Sequence, residues 1–180
     1  MMLLLGFLPF AVFALGDRLF STFPALVLAA CTAAALAARD LLSHKGLKLL
    51  DTGAALLFAG LAAYTALSHA SWTVLGVRLW TDAGLLVLVV LSIAIGRPFT
   101  LAYAKERVPA HVRTKPEFVR TNVRISSAWA AAFAAIVLAD AAMLAGLPIA
   151  LGVLATLAAL GGALLYTTRI VRKGHASAPF

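Results

Sequence analysis

A single acidic residue lies inside one of the most apolar stretches of the sequence. Asp140 is surrounded by alanine, leucine, valine and methionine. A carboxylate at the centre of a membrane helix costs about 2.5–3.5 kcal/mol on insertion scales, so it must be neutral, paired or in contact with water. Arg78 and Asp82 are one helical turn apart near another apolar stretch and are candidate partners. The three residues predict either a polar clasp between helices or a proton or cation site. A third alternative is that Asp140 simply faces water at the outer surface.

The other residue types that commonly do chemistry are dispersed. No HxxxH or CxxC spacing occurs, so a zinc or haem site is not expected. No GxSxG, P-loop or dinucleotide motif occurs either. Cys31, the only cysteine, is interpreted as a small apolar packing residue. We therefore predict no catalytic residue, no metal, no cofactor and no enzymatic activity. The four histidines are His44, His69, His111 and His175.

The composition indicates a membrane protein. Of the 180 residues, 63% are hydrophobic and only 12% are charged, and the mean hydropathy is +0.99. These values exclude an ordinary soluble domain and a disordered chain. One cysteine excludes a disulfide scaffold. Strand alternation is absent, so we predict an all-α, polytopic bundle of transmembrane helices forming one integral membrane domain, residues 1–180.

Six apolar stretches approach the roughly 20 residues that a spanning helix needs. The fifteen Lys and Arg residues divide thirteen to two between the sides defined by six crossings. The more basic side faces the cytoplasm, so both termini are predicted to be cytoplasmic. The predicted spans are 2–16, 20–38, 49–68, 79–96, 125–146 and 149–168.

Residues 97–124 form a basic inner segment between the fourth and fifth spans. Thr114 and Glu117 fit a capping box, which predicts a helix starting near Lys115. The cations either bind anionic lipids or a partner protein, or they only anchor the topology in solvent. Nucleic-acid binding is not expected, despite a net charge of +8, because no aromatic residues alternate with the cations in a basic motif. The lipid- or partner-facing residues are Arg97, Lys105, Arg107, Arg113, Lys115, Arg120 and Arg124.

Small residues are frequent in several spans. Alanine and glycine let transmembrane helices approach closely. The simpler interpretation is tight packing within the bundle. The alternative is a dedicated face for a second copy of the chain, that is, a homo-oligomer.

Several short motifs are spread over most of the chain, namely Phe7-Leu8-Pro9-Phe10 with Val12-Phe13, Trp72, Gly96-Arg97-Pro98, Asn122, and Trp129 with Phe133. Together they resemble the intracellular septation protein A family of inner-membrane proteins. The resemblance implies a non-catalytic role in cell-envelope maintenance and septation, in the bacterial inner membrane, through contacts with division or envelope-synthesis proteins. The stretch 103–118 departs from the family pattern, because it is longer and more basic.

Overall fold

A computed structural model describes residues 5–43, 48–69, 71–106 and 108–176, with side chains up to residue 172. All of the regular structure in these ranges is α-helical, which confirms the predicted all-α class. The eight helices are α1 (Leu8–Leu19), α2 (Thr22–Leu42), α3 (Leu49–Ser68), α4 (Val74–Ala94), α5 (Phe99–Lys105), α6 (Ala110–Arg113), α7 (Pro116–Leu144) and α8 (Ile149–Ala176).

Five of these helices are long and apolar enough to cross a membrane, namely α2, α3, α4, α7 and α8. The multi-pass prediction is therefore confirmed, with one candidate span fewer among the described residues than the six that the sequence predicted. The difference lies in the first stretch, where α1 has only 12 residues. That length corresponds to about 18 Å, against a hydrocarbon core of about 30 Å. Residues 2–4 lie outside the described part of the chain.

The chain divides into two compact units, Met1–Leu88 and Val89–Phe180. In the first unit, α1 and α2 form a hairpin closed by a hydrogen bond from the Thr22 hydroxyl to Asp17, at 2.7 Å. Phe10 and Phe13 of α1 pack on Phe58 of α3, with ring centroids 5.0 and 5.6 Å apart. Because Phe58 lies halfway along α3, α1 begins near the middle of that helix rather than at its end.

Small residues allow close packing in the first unit, as the sequence suggested. Ala25, Ala29 and Ala33 of α2 are fully buried in its core. Leu88 fills the space beside Gly53, and Leu57 fills the space beside Gly84. A Cβ atom at either glycine would collide with the leucine, so α3 and the first part of α4 approach closely there.

The second unit is built on an antiparallel hairpin of α7 and α8. Trp129 Nε1 of α7 donates to Thr167 Oγ1 of α8, at 3.1 Å. Near the other end of the hairpin, Met143 of α7 fills the space beside Gly152 of α8. The two contacts fix the register, so that residues whose numbers add up to about 296 lie at the same level.

Two turns in the second unit use the same backbone device. α4 and α7 each end in a glycine with positive φ, 71° at Gly96 and 104° at Gly146. Each glycine donates its N–H to the carbonyl three residues earlier, and the next residue donates to the carbonyl five residues earlier. This is a Schellman motif, which glycine favours because it has no Cβ atom. A proline follows two residues later and opens the next helix.

The third predicted span, 49–68, has the same bounds as its helix, and the boundaries of the others differ, most of all in the fifth and sixth spans. α7 starts at Pro116, which confirms the predicted helix start near Lys115, and it continues without a break into the fifth predicted span. The predicted capping box is wrong: Lys115 is the N-cap residue, and no side chain caps the helix. α8 continues to Ala176, eight residues beyond the predicted end of the sixth span.

Candidate functional site

The most highly charged buried site in the described residues lies where α2 ends and α3 begins. Asp40, in the last turn of α2, has no exposed surface. Its Oδ2 atom lies 2.7 Å from Lys48 Nζ, and that lysine is only 5% exposed. Its Oδ1 atom accepts a hydrogen bond from Arg39 Nη2 at 3.1 Å. A buried aspartate therefore binds one buried and one partly exposed cation.

The local sequence explains why these side chains meet. Lys48 is the N-cap residue of α3, and its carbonyl accepts the N–H of Thr52 at 3.1 Å. Asp51 follows in the first turn of α3 and is 2% exposed. A carboxylate is favourable at that helix N-terminus, whereas Asp40 lies at the unfavourable, negative end of α2. Arg39 and Lys48 offset that unfavourable position. We call Arg39, Asp40, Lys48 and Asp51 the α2–α3 charge cluster.

Asp40 is not among the site residues predicted from the sequence. It follows Arg39 directly at the end of the second predicted span, where a solvated carboxylate is unremarkable. The signal that could have found it is its spacing from the apolar residues of α2. Leu26, Ala29 and Ala33 are buried, and Asp40 lies on the same helical face, two turns further on.

A second buried polar group joins α4, α5 and α7 within the second unit. The Ser92 hydroxyl donates to the carbonyl of Val89 at 2.6 Å and accepts the N–H of Phe99 at 3.1 Å. The Thr100 hydroxyl donates to the carbonyl of Asn122 at 3.1 Å and lies 2.9 Å from Ser126 Oγ. Because Thr100 gives its own proton to the carbonyl, Ser126 is the donor in the second contact. We call Ser92, Thr100, Asn122 and Ser126 the hydroxyl cluster.

The hydroxyl cluster attaches the short helix α5 to α7. Four of the seven residues of α5 are buried, namely Phe99, Thr100, Leu101 and Tyr103. The cluster satisfies polar groups that would each cost about 1–3 kcal/mol if buried without a partner. The start of the basic segment is therefore a packed helix rather than an open loop.

The predicted intramembrane residues are divided between the two units. Arg78 Nε lies 3.6 Å from Asp82 Oδ2, one turn along α4, and the two side chains are 30% and 22% exposed. Asp140 lies in α7 of the second unit and has no exposed surface. The structure thus brings together Arg78 and Asp82, as predicted. The clasp or transport site that would join them to Asp140 stays a prediction.

The basic residues predicted to face lipid or a partner are exposed wherever the structure describes them. Arg113 also donates from Nε to the carbonyl of Val108 at 3.1 Å. Arg107 lies outside the described residues. The exposed residues are Arg97, Lys105, Arg113, Lys115, Arg120 and Arg124.

Two smaller interpretations require correction. Cys31 is exposed on α2 and is therefore not a packing residue of the core. Trp129 lies near the predicted start of the fifth span, where an interfacial aromatic belt is expected, but it is 3% exposed and packs against Phe133 with ring centroids 5.7 Å apart. Trp80 is 59% exposed and fits the belt. No group of three metal-binding side chains occurs in the described residues, and His44 and the side chain of His175 lie outside them.

Comparisons with protein-family models, with curated proteins and with solved structures found no match to this chain.

Proposed function

We propose that this protein is a non-catalytic, multi-pass protein of the bacterial inner membrane, with a role in cell-envelope maintenance and septation. Its cytoplasmic side binds division or envelope-synthesis membrane proteins through the basic segment 97–124. The observation that carries the proposal is the exposure of all six described cations in this segment. The turn between α7 and α8, by contrast, contains no Lys or Arg. The resemblance to septation protein A supplies the biological role.

The orientation follows from where the cations lie. The basic segment and the C-terminal tail belong to the side that carries thirteen of the fifteen Lys and Arg residues. This division is unchanged if α1 does not cross the membrane, because no cation precedes Arg18. The tail is therefore cytoplasmic with five or with six crossings. Six crossings, as proposed, place the N-terminus in the cytoplasm as well.

Reporter fusions at each end separate these statements. A cytoplasm-specific reporter at the C-terminus is expected to be active, and an inactive one would overturn the orientation. The same reporter at the N-terminus is expected to be active if α1 and the residues before it cross. An inactive N-terminal reporter beside an active C-terminal one would reduce the number of crossings to five.

Partner binding is tested by removing charge from the connecting segment in the full chain. The variant Arg97→Gln, Lys105→Gln, Arg113→Gln, Lys115→Gln is expected to lose most of its site-specific crosslinking to division and envelope-synthesis membrane proteins. The matched control exchanges Arg and Lys at the same four positions, so that charge is kept. Full crosslinking by both variants would refute a basic docking surface. Loss of crosslinking in both would indicate recognition by shape rather than by charge.

Asp140 favours a second candidate function, a small transporter or channel. A fully buried carboxylate inside a candidate span is costly and is frequently a transport group. Proton or cation flux in proteoliposomes tests this function, with Asp140→Asn expected to abolish flux while the protein stays folded. Absence of flux in the parent protein removes the transporter function and leaves Asp140 as part of a structural clasp.

A further inference from the structure

Four exposed arginines lie at the same end of the α7–α8 hairpin. Arg120 and Arg124 are one turn apart near the start of α7, and Arg169 and Arg172 are one turn apart near the end of α8. Arg169 and Arg172 lie outside the basic segment 97–124. We call the four residues the arginine collar.

The register of the hairpin places the collar at one level. Trp129 pairs with Thr167, and Met143 fills the space beside Gly152. Continuing this register along both helices sets Arg124 opposite Arg172. Arg169 then lies about 4.5 Å to one side of that level and Arg120 about 6 Å to the other. The collar therefore occupies a layer about 10 Å deep.

That layer coincides with the headgroup region of a bilayer. The level of Met143 and that of Arg124 are nineteen residues apart along α7, or about 28 Å. This distance matches a hydrocarbon core of about 30 Å. With the outer end of the hairpin near Met143, the collar meets the headgroups of the opposite leaflet. Tyr166, 42% exposed at the level of Trp129, adds an interfacial aromatic on the hydrocarbon side of the collar.

In the part of the chain whose side chains are described, none of the four guanidinium groups of the collar forms an ion pair with a carboxylate. Arginines one turn apart on a helix repel each other, so each pair favours an anion placed between its members. A phosphate group suits this position because a guanidinium can bind two of its oxygens.

We propose that the arginine collar is a binding surface for the phosphate groups of anionic phospholipids in the cytoplasmic leaflet. This inference rests on the orientation given under the proposed function, since only then does the collar face the anionic leaflet. The collar shares Arg120 and Arg124 with the basic segment 97–124, but neither is among the four residues replaced in the crosslinking test. Each arginine pair takes one lipid phosphate, so about two tightly held lipids are expected per chain.

The test counts lipids bound to the purified full-length protein. Phosphatidylglycerol or phosphatidylcholine is titrated into detergent micelles, and bound lipids are counted by native mass spectrometry. The variant Arg120→Gln, Arg124→Gln, Arg169→Gln, Arg172→Gln is expected to bind phosphatidylglycerol at least about tenfold more weakly. Binding of phosphatidylcholine is expected to be unchanged. The matched control removes the same number of charges at Arg97, Lys105, Arg113 and Lys115 and is expected to change phosphatidylglycerol binding less than about threefold.

The outcomes separate the collar from the proposed function. Equal loss in the two variants would overturn the collar as a specific surface, whatever the crosslinking result. Displacement of the lipid by water-soluble glycerol phosphate would overturn a lipid assignment in favour of a free phosphate.

The two half variants, Arg120→Gln with Arg124→Gln and Arg169→Gln with Arg172→Gln, guard against misfolding of the fourfold variant. Each is expected to remove one of the two lipids, and retention of both in each half variant would refute the proposal.

Discussion

Two aspartates of this protein have no exposed surface, and they differ in how the chain surrounds them. Asp40 lies near the end of α2, where the adjacent Arg39 and the nearby Lys48 bind its two oxygens at 3.1 and 2.7 Å. Asp140 lies in α7 among apolar residues, and no cation is found within twelve positions of it in the sequence. The first carboxylate is neutralised locally, whereas the partners of the second must come from elements distant in sequence. The comparison shows that burial alone does not distinguish a structural carboxylate from a functional one.

Removing the buried partner of Asp40 is expected to have the largest effect on stability. Lys48→Met leaves a fully buried carboxylate with only the partly exposed Arg39. Breaking one side of a buried ion pair costs about 3–5 kcal/mol, and the lower end applies here because the cluster lies at helix ends. Unfolding of the purified protein in detergent, followed by circular dichroism, measures the change in the free energy of unfolding.

The double variant Asp40→Leu, Lys48→Met serves as the control for that result. Replacing both members of a buried pair by apolar residues is frequently neutral. The double variant is therefore expected to be more stable than Lys48→Met alone. If the loss of unfolding free energy in the double variant equals the sum of the losses in Asp40→Leu alone and Lys48→Met alone, the two side chains do not stabilise the protein as a pair.

Asp140→Asn tests the other side of the comparison. If the polar clasp predicted from the sequence forms between Asp140 and Arg78, the substitution is expected to lower the free energy of unfolding by about 2 kcal/mol. A double-mutant cycle with Arg78→Gln measures that coupling, which is expected to exceed about 1 kcal/mol if the predicted clasp exists. Additive effects would exclude the clasp. In that case, flux in proteoliposomes tests whether Asp140 is a transport group; a carboxylate that faces water at the outer surface does not fit its complete burial.

An uncharged buried contact separates the effect of charge from the effect of burial. Thr100→Val removes the hydroxyl that joins α5 to Asn122 and Ser126, while it keeps the shape of the side chain. We expect a loss of about 1 kcal/mol, because neutral hydrogen bonds contribute less than charged ones and the freed carbonyl of Asn122 keeps its helical partner. Ser126→Ala in the Thr100→Val background should cost little more. A loss as large as that of Lys48→Met would show that docking of α5, rather than charge, dominates stability.

The charge pattern and the long apolar runs were sufficient to predict the all-α class, the multi-pass arrangement and the helix that begins near Lys115. The capping box failed because Thr114 lies before Lys115, which takes the N-cap position instead. The hydroxyl cluster could not be predicted, since Thr100 and Ser126 are 26 positions apart and only the packing of α5 brings them together. Asp40 was not predicted because the neighbouring residues are typical of a solvated loop. Its ion pair with Lys48 forms only because the start of α3 folds back against the end of α2.

The smallest expected effect uses the second cation of Asp40. Arg39→Gln removes a side chain that is 49% exposed, whereas Lys48 is 5% exposed, although both bind the same carboxylate. Partly exposed ion pairs contribute about 0–1 kcal/mol, because solvent competes for both charges. We therefore expect a loss below about 1 kcal/mol for Arg39→Gln, at least threefold smaller than for Lys48→Met when both are measured by unfolding in the same detergent. Equal losses would mean that Asp40 needs both cations, and the structural role now assigned to Lys48 would then belong to the α2–α3 charge cluster as a whole.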